Sequence, residues 1–208
     1  LTPVGEEALR RATVILNEAE ELLEAAKNAG QPLTGRFRLG VIPTIAPFLL
    51  PGALPLLRQK YPKLRLFLRE DQTQRLIGQL KAGRLDAALI ALPFDTGGLD
   101  WTHVADDELL AAVPADHPLS KAAAASPEAL ERENLILLED GHCLREHALA
   151  ACKLAPPRLG LGEEPFEATS LPTLVQMVGS GLGVTFLPEM AVDAGLARAA
   201  HVVVKPIA

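Results

Sequence analysis

One plan occurs twice in this chain and restricts its fold more than any other feature. Asp71 to Leu92 belongs to a strand, helix and strand plan, and Thr169 to Pro188 loosely repeats it with Leu-Pro-Thr-Leu-Val-Gln-Met-Val-Gly and, after Ser180, Gly-Leu-Gly-Val-Thr-Phe-Leu-Pro. Further strands surround the first copy. Gly35 to Ile42 alternates and ends in an apolar run, and Leu64 to Arg69 follows the same rule. A helix is expected from Ala46 to Lys60, interrupted near its start by Pro51 and Pro55, and another from Gln72 to Gly83 with Leu76, Ile77 and Leu80 turned inward. Asp86 to Leu92 reads as a fully buried strand. Strands alternating with helices give a parallel sheet with right-handed crossovers. Two loosely similar copies of that plan give an α/β fold of two Rossmann-like lobes.

The second half carries its own signals. Leu109 to Leu119 opens with a strand, and Ser126-Pro127-Glu128 is an N-cap, a proline at the first helical position and an acid in the first turn of a short helix ending near Glu133. His117, directly before Pro118, is read as a turn residue. Lys153 to Pro165 is a loop, Phe166 to Ser170 a strand, Leu171 to Gly179 a helix, Gly183 to Leu187 a buried strand, and Val202 to Val204 a returning hinge strand. At the other end, Gly5 to Lys27 spaces Leu9, Ala12, Leu16, Ala19, Leu23 and Ala26 at alternating steps of three and four, the mark of an amphipathic helix. It suits packing on its own domain or on a partner helix.

Composition excludes several classes of function. With 208 residues and 49% hydrophobic content the chain buries a sizeable core. A net charge of −6 argues against nucleic-acid binding by this stretch alone, since phosphate contacts require a basic patch. No run of about 18 apolar residues spans a membrane, and no signal peptide precedes the first helix. The expected location is cytoplasmic. Two cysteines are too few for a secreted disulfide framework.

Both cysteines lie in one stretch, Leu138 to Cys152: Leu-Glu-Asp-Gly-His-Cys-Leu-Arg-Glu-His-Ala-Leu-Ala-Ala-Cys. Cys143 stands where an apolar run, Leu135 to Leu138, passes through a tight turn into helix formers. At a helix N-terminus, unpaired backbone N–H groups and the helix dipole favour thiolate over thiol. His142 and Arg145 are candidate cationic neighbours. In an unbroken helix, the nine steps to Cys152 amount to a rise of roughly 13.5 Å. A disulfide needs Cα atoms within about 7 Å, so bonding the two requires the segment to unwind. Two other readings stand beside this redox switch. Free cysteines often fill a core, and His142, Cys143, His147 and Cys152 are all metal-ligand types, although their spacing matches no recognised zinc pattern. No metal or other cofactor is expected.

Gly-His-Cys-Leu-Arg, with a second cysteine nine residues after the first, resembles the redox centre of the OxyR family, the peroxide-sensing branch of the LysR-type transcriptional regulators. The similarity extends over nearly the whole chain. Leu109 to Leu119 resembles a stretch common in LysR effector domains, and Leu1 to Leu9 is similar to the join between their winged helix-turn-helix and linker helix. The resemblance implies a fold of the periplasmic-binding-protein-like type II, with residues 1–32 as a dimerising linker helix, 33–105 as effector lobe I and 106–208 as effector lobe II with the hinge return. It implies an excised sensor fragment, lacking the DNA-binding domain in front and the end of lobe I behind. It makes Cys143 the peroxidatic residue, oxidised by hydrogen peroxide to a sulfenic acid, and Cys152 the resolving residue of an intramolecular disulfide. Thr44 and Thr73 each follow a strand and read as helix caps; the family places similar threonines in its peroxide pocket, which implies a pocket role for both. His142 and Arg145 would support the thiolate.

The partners so implied are hydrogen peroxide, a second copy in a homodimer or tetramer, DNA through the absent domain, RNA polymerase, and a thiol reductant of the glutaredoxin or thioredoxin type. The expected role is regulatory, not enzymatic. Pro156 and Pro157 stiffen the loop behind Cys152. The rival functions are an effector domain binding a small carboxylate co-inducer, a thiol peroxidase and a metal sensor.

Overall fold

The alternation of strand and helix folds as a parallel sheet in the first half of the chain. The computed structural model describes residues 1–27, 33–151 and 167–208, and the chain divides into two units, Leu1–Asp100 and Trp101–Ala208. In the first unit, α1 (Pro3–Lys27) precedes β1 (Gly35–Val41), α2 (Ala46–Lys60), β2 (Leu64–Glu70), α3 (Thr73–Lys81) and β3 (Ala87–Leu89). The strand order is β2-β1-β3, with both pairings parallel. Ile42, Leu76 and Leu85 form its core, with Ile45, Leu80 and Ile90 packed against them. Gly40 is needed in β1: a Cβ there would lie 2.7 Å from Leu76 and 2.8 Å from Leu85.

Two expectations for this unit are corrected. α2 is continuous through Pro51 and Pro55. Pro47, Pro51 and Pro55 are spaced by four and all exposed, so the backbone bonds they delete lie on the solvent side, where water serves the freed carbonyls. The strand expected at Asp86 to Leu92 is only Ala87–Leu89 and half-buried. It pairs with Leu39 to Val41 of β1 and has no strand on its other edge among the described residues, so an apolar run did not mean a covered strand.

One face of α1 lies on its own unit. The Asn17 side-chain amide donates to the carbonyl of Gly83, and its oxygen accepts from Arg38 at 3.5 Å. The apolar stripe is elsewhere on the helix, with Leu9, Leu16 and Leu23 respectively 57%, 64% and 59% exposed, so this unit does not cover it. Among the described residues no helix is long and apolar enough to cross a membrane.

The second unit contains β4 (Leu109–Pro114), α4 (Pro127–Leu130), β5 (Leu137–Leu138), α5 (Cys143–Ala151), β6 (Glu167–Ala168), α6 (Leu171–Gly179), β7 (Thr185–Pro188), α7 (Glu189–Asp193) and β8 (Val202–Pro206). β5 and β6 are parallel, and an isolated parallel bridge from Leu135 to Val184 joins them to β7. β4 runs antiparallel to both β7 and β8. The β6-α6-β7 succession thus repeats the plan of the first unit, while β4 and β8 complete a mixed sheet. The strand expected at Val202 to Val204 is β8, paired along its length with β4.

Leu130, Leu137, Val184 and Phe186 lie at the centre of this unit, with Ala148 of α5. α4 stops at Leu130, short of the expected Glu133, and is capped by Ser126, whose Oγ accepts from the Ala129 N–H at 3.2 Å. His117 is a turn residue as expected, its Nδ1 accepting from the Leu119 N–H at 3.2 Å.

Candidate functional site

β5 ends at Leu138, and the chain turns through Glu139 to His142 into α5, whose first residue is Cys143. Gly141 adopts φ 94° in this turn, a left-handed conformation that glycine accepts without strain. α5 is the crossover between parallel β5 and β6, so Cys143 stands at the carboxyl end of a parallel strand and the N-terminus of a helix, where ligands of open α/β sheets bind. Its side chain is buried. Leu144 and Ala148 are also buried, which fixes the inward face of α5.

The neighbouring side chains are less cationic than the sequence implied. His142 is 8% exposed, and burial pushes its pKa below the ordinary histidine value, only partly offset by Glu139, whose carboxylate is 3.8 Å away. Burial thus favours the neutral imidazole over the cation that the sequence suggested. Arg145 is bound to other groups: its Nη1 donates to the Leu138 carbonyl at 3.1 Å and to Glu167 Oε1 at 2.8 Å, and its Nε lies 3.2 Å from Asp140 Oδ1. Two carboxylates balance that guanidinium. The roles of Glu167 and Asp140 were missed from the sequence. Asp140 lies inside the motif without any signal of its own, and Glu167 is 22 residues from Arg145.

Thr44 and Thr73 belong to the first unit, and Cys143, His142 and Arg145 to the second. Both threonines are buried, 6% and 1% exposed. Neither is the N-cap expected. Ile45 occupies the cap position of α2 and Gln72 that of α3, neither helix has a side-chain cap, and Thr73 is the first residue of α3. Cys152 lies outside the described residues. Among the described residues no three His, Cys, Asp or Glu side chains form a cluster able to hold a metal ion. A groove of about 380 Å³ between α2 and β2, lined by Leu54, Leu57, Tyr61 and Leu66 among others, includes none of these site residues.

The fold has counterparts among known proteins. The LysR substrate binding domain matches residues 30–208. The HTH-type transcriptional regulator EstR of Acinetobacter baylyi is 42% identical over 193 residues, 93% of this chain and 63% of that protein. The chain thus spans just under two thirds of the length of the curated relatives it matches. Among solved structures, the E204-to-glycine variant of the Vibrio vulnificus OxyR2 regulatory domain is 42% identical, covering 85% of this chain and 83% of that one, with a TM-score of 0.75. A cysteine-to-serine mutant of Corynebacterium glutamicum OxyR with hydrogen peroxide bound is 33% identical, covering 100% of this chain and 64% of that one, with a TM-score of 0.80. With that domain matched from residue 30 to the end and an OxyR2 regulatory domain 42% identical over most of its length, this chain belongs to the LysR substrate-binding domain family.

Proposed function

We propose that this chain is the peroxide-sensing regulatory part of a LysR-type transcriptional regulator, with Cys143 as the residue that hydrogen peroxide oxidises. The observation that carries this reading is the buried side chain of Cys143 as the first residue of α5, together with the likeness to an OxyR structure that holds hydrogen peroxide. The Cys143 thiolate attacks one peroxide oxygen. An S–O bond forms, the O–O bond breaks, and hydroxide leaves and is protonated to water, so sulfur loses two electrons and becomes a sulfenic acid. The Cys152 thiol then displaces water from that sulfur and closes the disulfide.

Negative charge develops on the leaving oxygen, and donors aimed at it lower the barrier. The α5 backbone supplies some, and the hydroxyls of Thr44 and Thr73 supply others across the two lobes. α5 is helical from Cys143 to Ala151, so disulfide closure melts it, and that change repacks a homodimer or tetramer and moves DNA-binding domains outside this chain. Residues 1–32 serve as the dimerising linker, 33–105 as lobe I and 106–208 as lobe II. DNA, RNA polymerase and a glutaredoxin- or thioredoxin-type reductant are the partners, and the protein acts in the cytoplasm as a regulator, not an enzyme.

The test is intact mass and free-thiol count on the reduced chain, before and after a few equivalents of hydrogen peroxide. Loss of two hydrogens and both thiols, with a peptide joining Cys143 to Cys152, is expected. A Cys143→Ser protein that still forms this intramolecular disulfide would refute the assignment. An inert thiol pair would leave the family's other reading, a small carboxylate co-inducer bound between the lobes.

A further inference from the structure

The position of Arg145 calls for a role the thiol chemistry does not supply. It is the third residue of α5, and its guanidinium reaches the Leu138 carbonyl at the end of β5, Asp140 in the intervening turn and Glu167 at the start of β6. One side chain, 17% exposed, therefore ties the helix's first turn to both strands that the helix connects. A cation in the first turn of a helix opposes the helix dipole. Its presence there is explained by the two carboxylates and the carbonyl that it bonds.

α5 depends on such ties. A helix shorter than about 12–15 residues is marginal in water without tertiary packing. The described part of this one is the nine residues Cys143–Ala151, and its most deeply buried side chain, Ala148, contributes only a methyl group. Leu144 and the half-buried Leu149 add apolar contact. Charge-assisted hydrogen bonds from a largely buried guanidinium are stronger than neutral ones, so the Arg145 fork adds a strong polar tie to that apolar packing.

We propose that Arg145, held by Glu167, is the latch of the switch: a positioning residue that keeps α5 folded in the resting state and sets how readily it unwinds once Cys143 is oxidised. The proposal rests on the peroxide-sensing reading above and adds to it the element that sets the threshold. The latch acts on the second chemical step. Reaction of Cys143 with peroxide needs α5 folded, whereas closure with Cys152 needs it open. Weakening the latch therefore speeds closure and leaves the first step almost untouched.

The test uses the whole chain with Glu167→Gln, Glu167→Asp and Arg145→Lys. Amide hydrogen exchange over residues 143–151 reads the helix, sulfenic acid formation in a Cys152→Ser background reads the first step, and disulfide closure after a peroxide pulse reads the second. Glu167→Gln is expected to raise exchange in α5 and the rate of closure together by about tenfold, which corresponds to ~1.4 kcal/mol. Sulfenic acid formation should change less than twofold. Glu167→Asp, which keeps the charge, should recover part of the protection, and Arg145→Lys, which loses the fork, should lie between Glu167→Gln and the parent.

Unchanged exchange and closure in Glu167→Gln, with Cys143 still reactive, overturns the latch. So does a first step slowed as much as the second changes, since Arg145 would then serve the thiol directly. Failure of the underlying reading looks different, because Cys143 of the parent chain would not react with peroxide at all. In that event the exchange arm alone decides whether Arg145 and Glu167 hold α5.

Discussion

Thr44 and Thr73 leave the same carboxyl edge of one parallel sheet: β1 and β2 are adjacent, Val41 pairs with Glu70, and each threonine follows its strand by three residues. Both are buried although neither occupies a cap position. Each therefore follows the carboxyl end of a parallel strand, the edge at which open α/β sheets bind their ligands.

Replacing either threonine with valine keeps its shape and removes its hydroxyl. Thr44→Val and Thr73→Val are expected to slow peroxide oxidation of Cys143 by roughly tenfold or more each, in keeping with the loss of one positioned donor. Stopped-flow measurement of thiol loss checks this. Parent-like rates in both variants would remove the threonines from the reaction.

Burial of His142 links the protein's stability to pH. Its pKa in the folded chain is lowered by burial, so the unfolded chain binds the proton more tightly. The contribution is complete above the unfolded value of about 6.5 and is lost as pH falls through that value towards the folded one. Denaturant titrations between pH 7.5 and 5 should therefore show a loss of stability that His142→Gln lacks. Parallel pH profiles for the two proteins would show that His142 is not the group responsible.

Arg38 in β1 and Asp86 ahead of β3 form a largely buried ion pair of the first unit. The Arg38 guanidinium bonds Asp86 Oδ1 at 2.5 Å, and the Arg38 backbone N–H bonds Oδ2 at 2.5 Å. Burial works against the carboxylate's charge, and the bonds from Arg38 outweigh it, leaving the Asp86 pKa below the usual range. Its stabilising effect is present above about pH 4 and lost at lower pH. Asp86→Ala leaves a guanidinium that is 14% exposed without its carboxylate, and should cost on the order of 3 kcal/mol. Urea unfolding measures it.

Gly183 enters the chain pairing that joins β5 to β7. A Cβ there would lie 2.2 Å from the Asn134 carbonyl oxygen, part of a rigid backbone, and that carbonyl accepts from the Val184 N–H at 2.9 Å. Gly183→Ala should push the two strands apart and destabilise the protein by about 2–3 kcal/mol. An unaltered melting temperature would contradict the close approach.

Local chemistry alone determined much of this protein. Apolar spacing placed α6 at Leu171–Gly179 to the residue, and Ser126 before Pro127 marked the start of α4. The turn into helix formers at Gly141-His142 placed Cys143 at the head of a helix. These are features of neighbouring residues, and the sequence displays them directly.

Tertiary structure decided what depends on distant partners. Pro51 and Pro55 stay within a continuous helix because its packing puts them on the solvent side, and β3 extends only as far as its pairing with Leu39 to Val41 of β1. The antiparallel course of β4 follows from partners roughly 75 to 95 residues away. His142 reads as a cation until burial disfavours its charge, and Arg145 reads as a neighbour of the thiol until β6 brings Glu167 to it from 22 residues away. A residue's type and spacing fix its local conformation, but its charge state and its partner depend on which remote groups the fold places beside it.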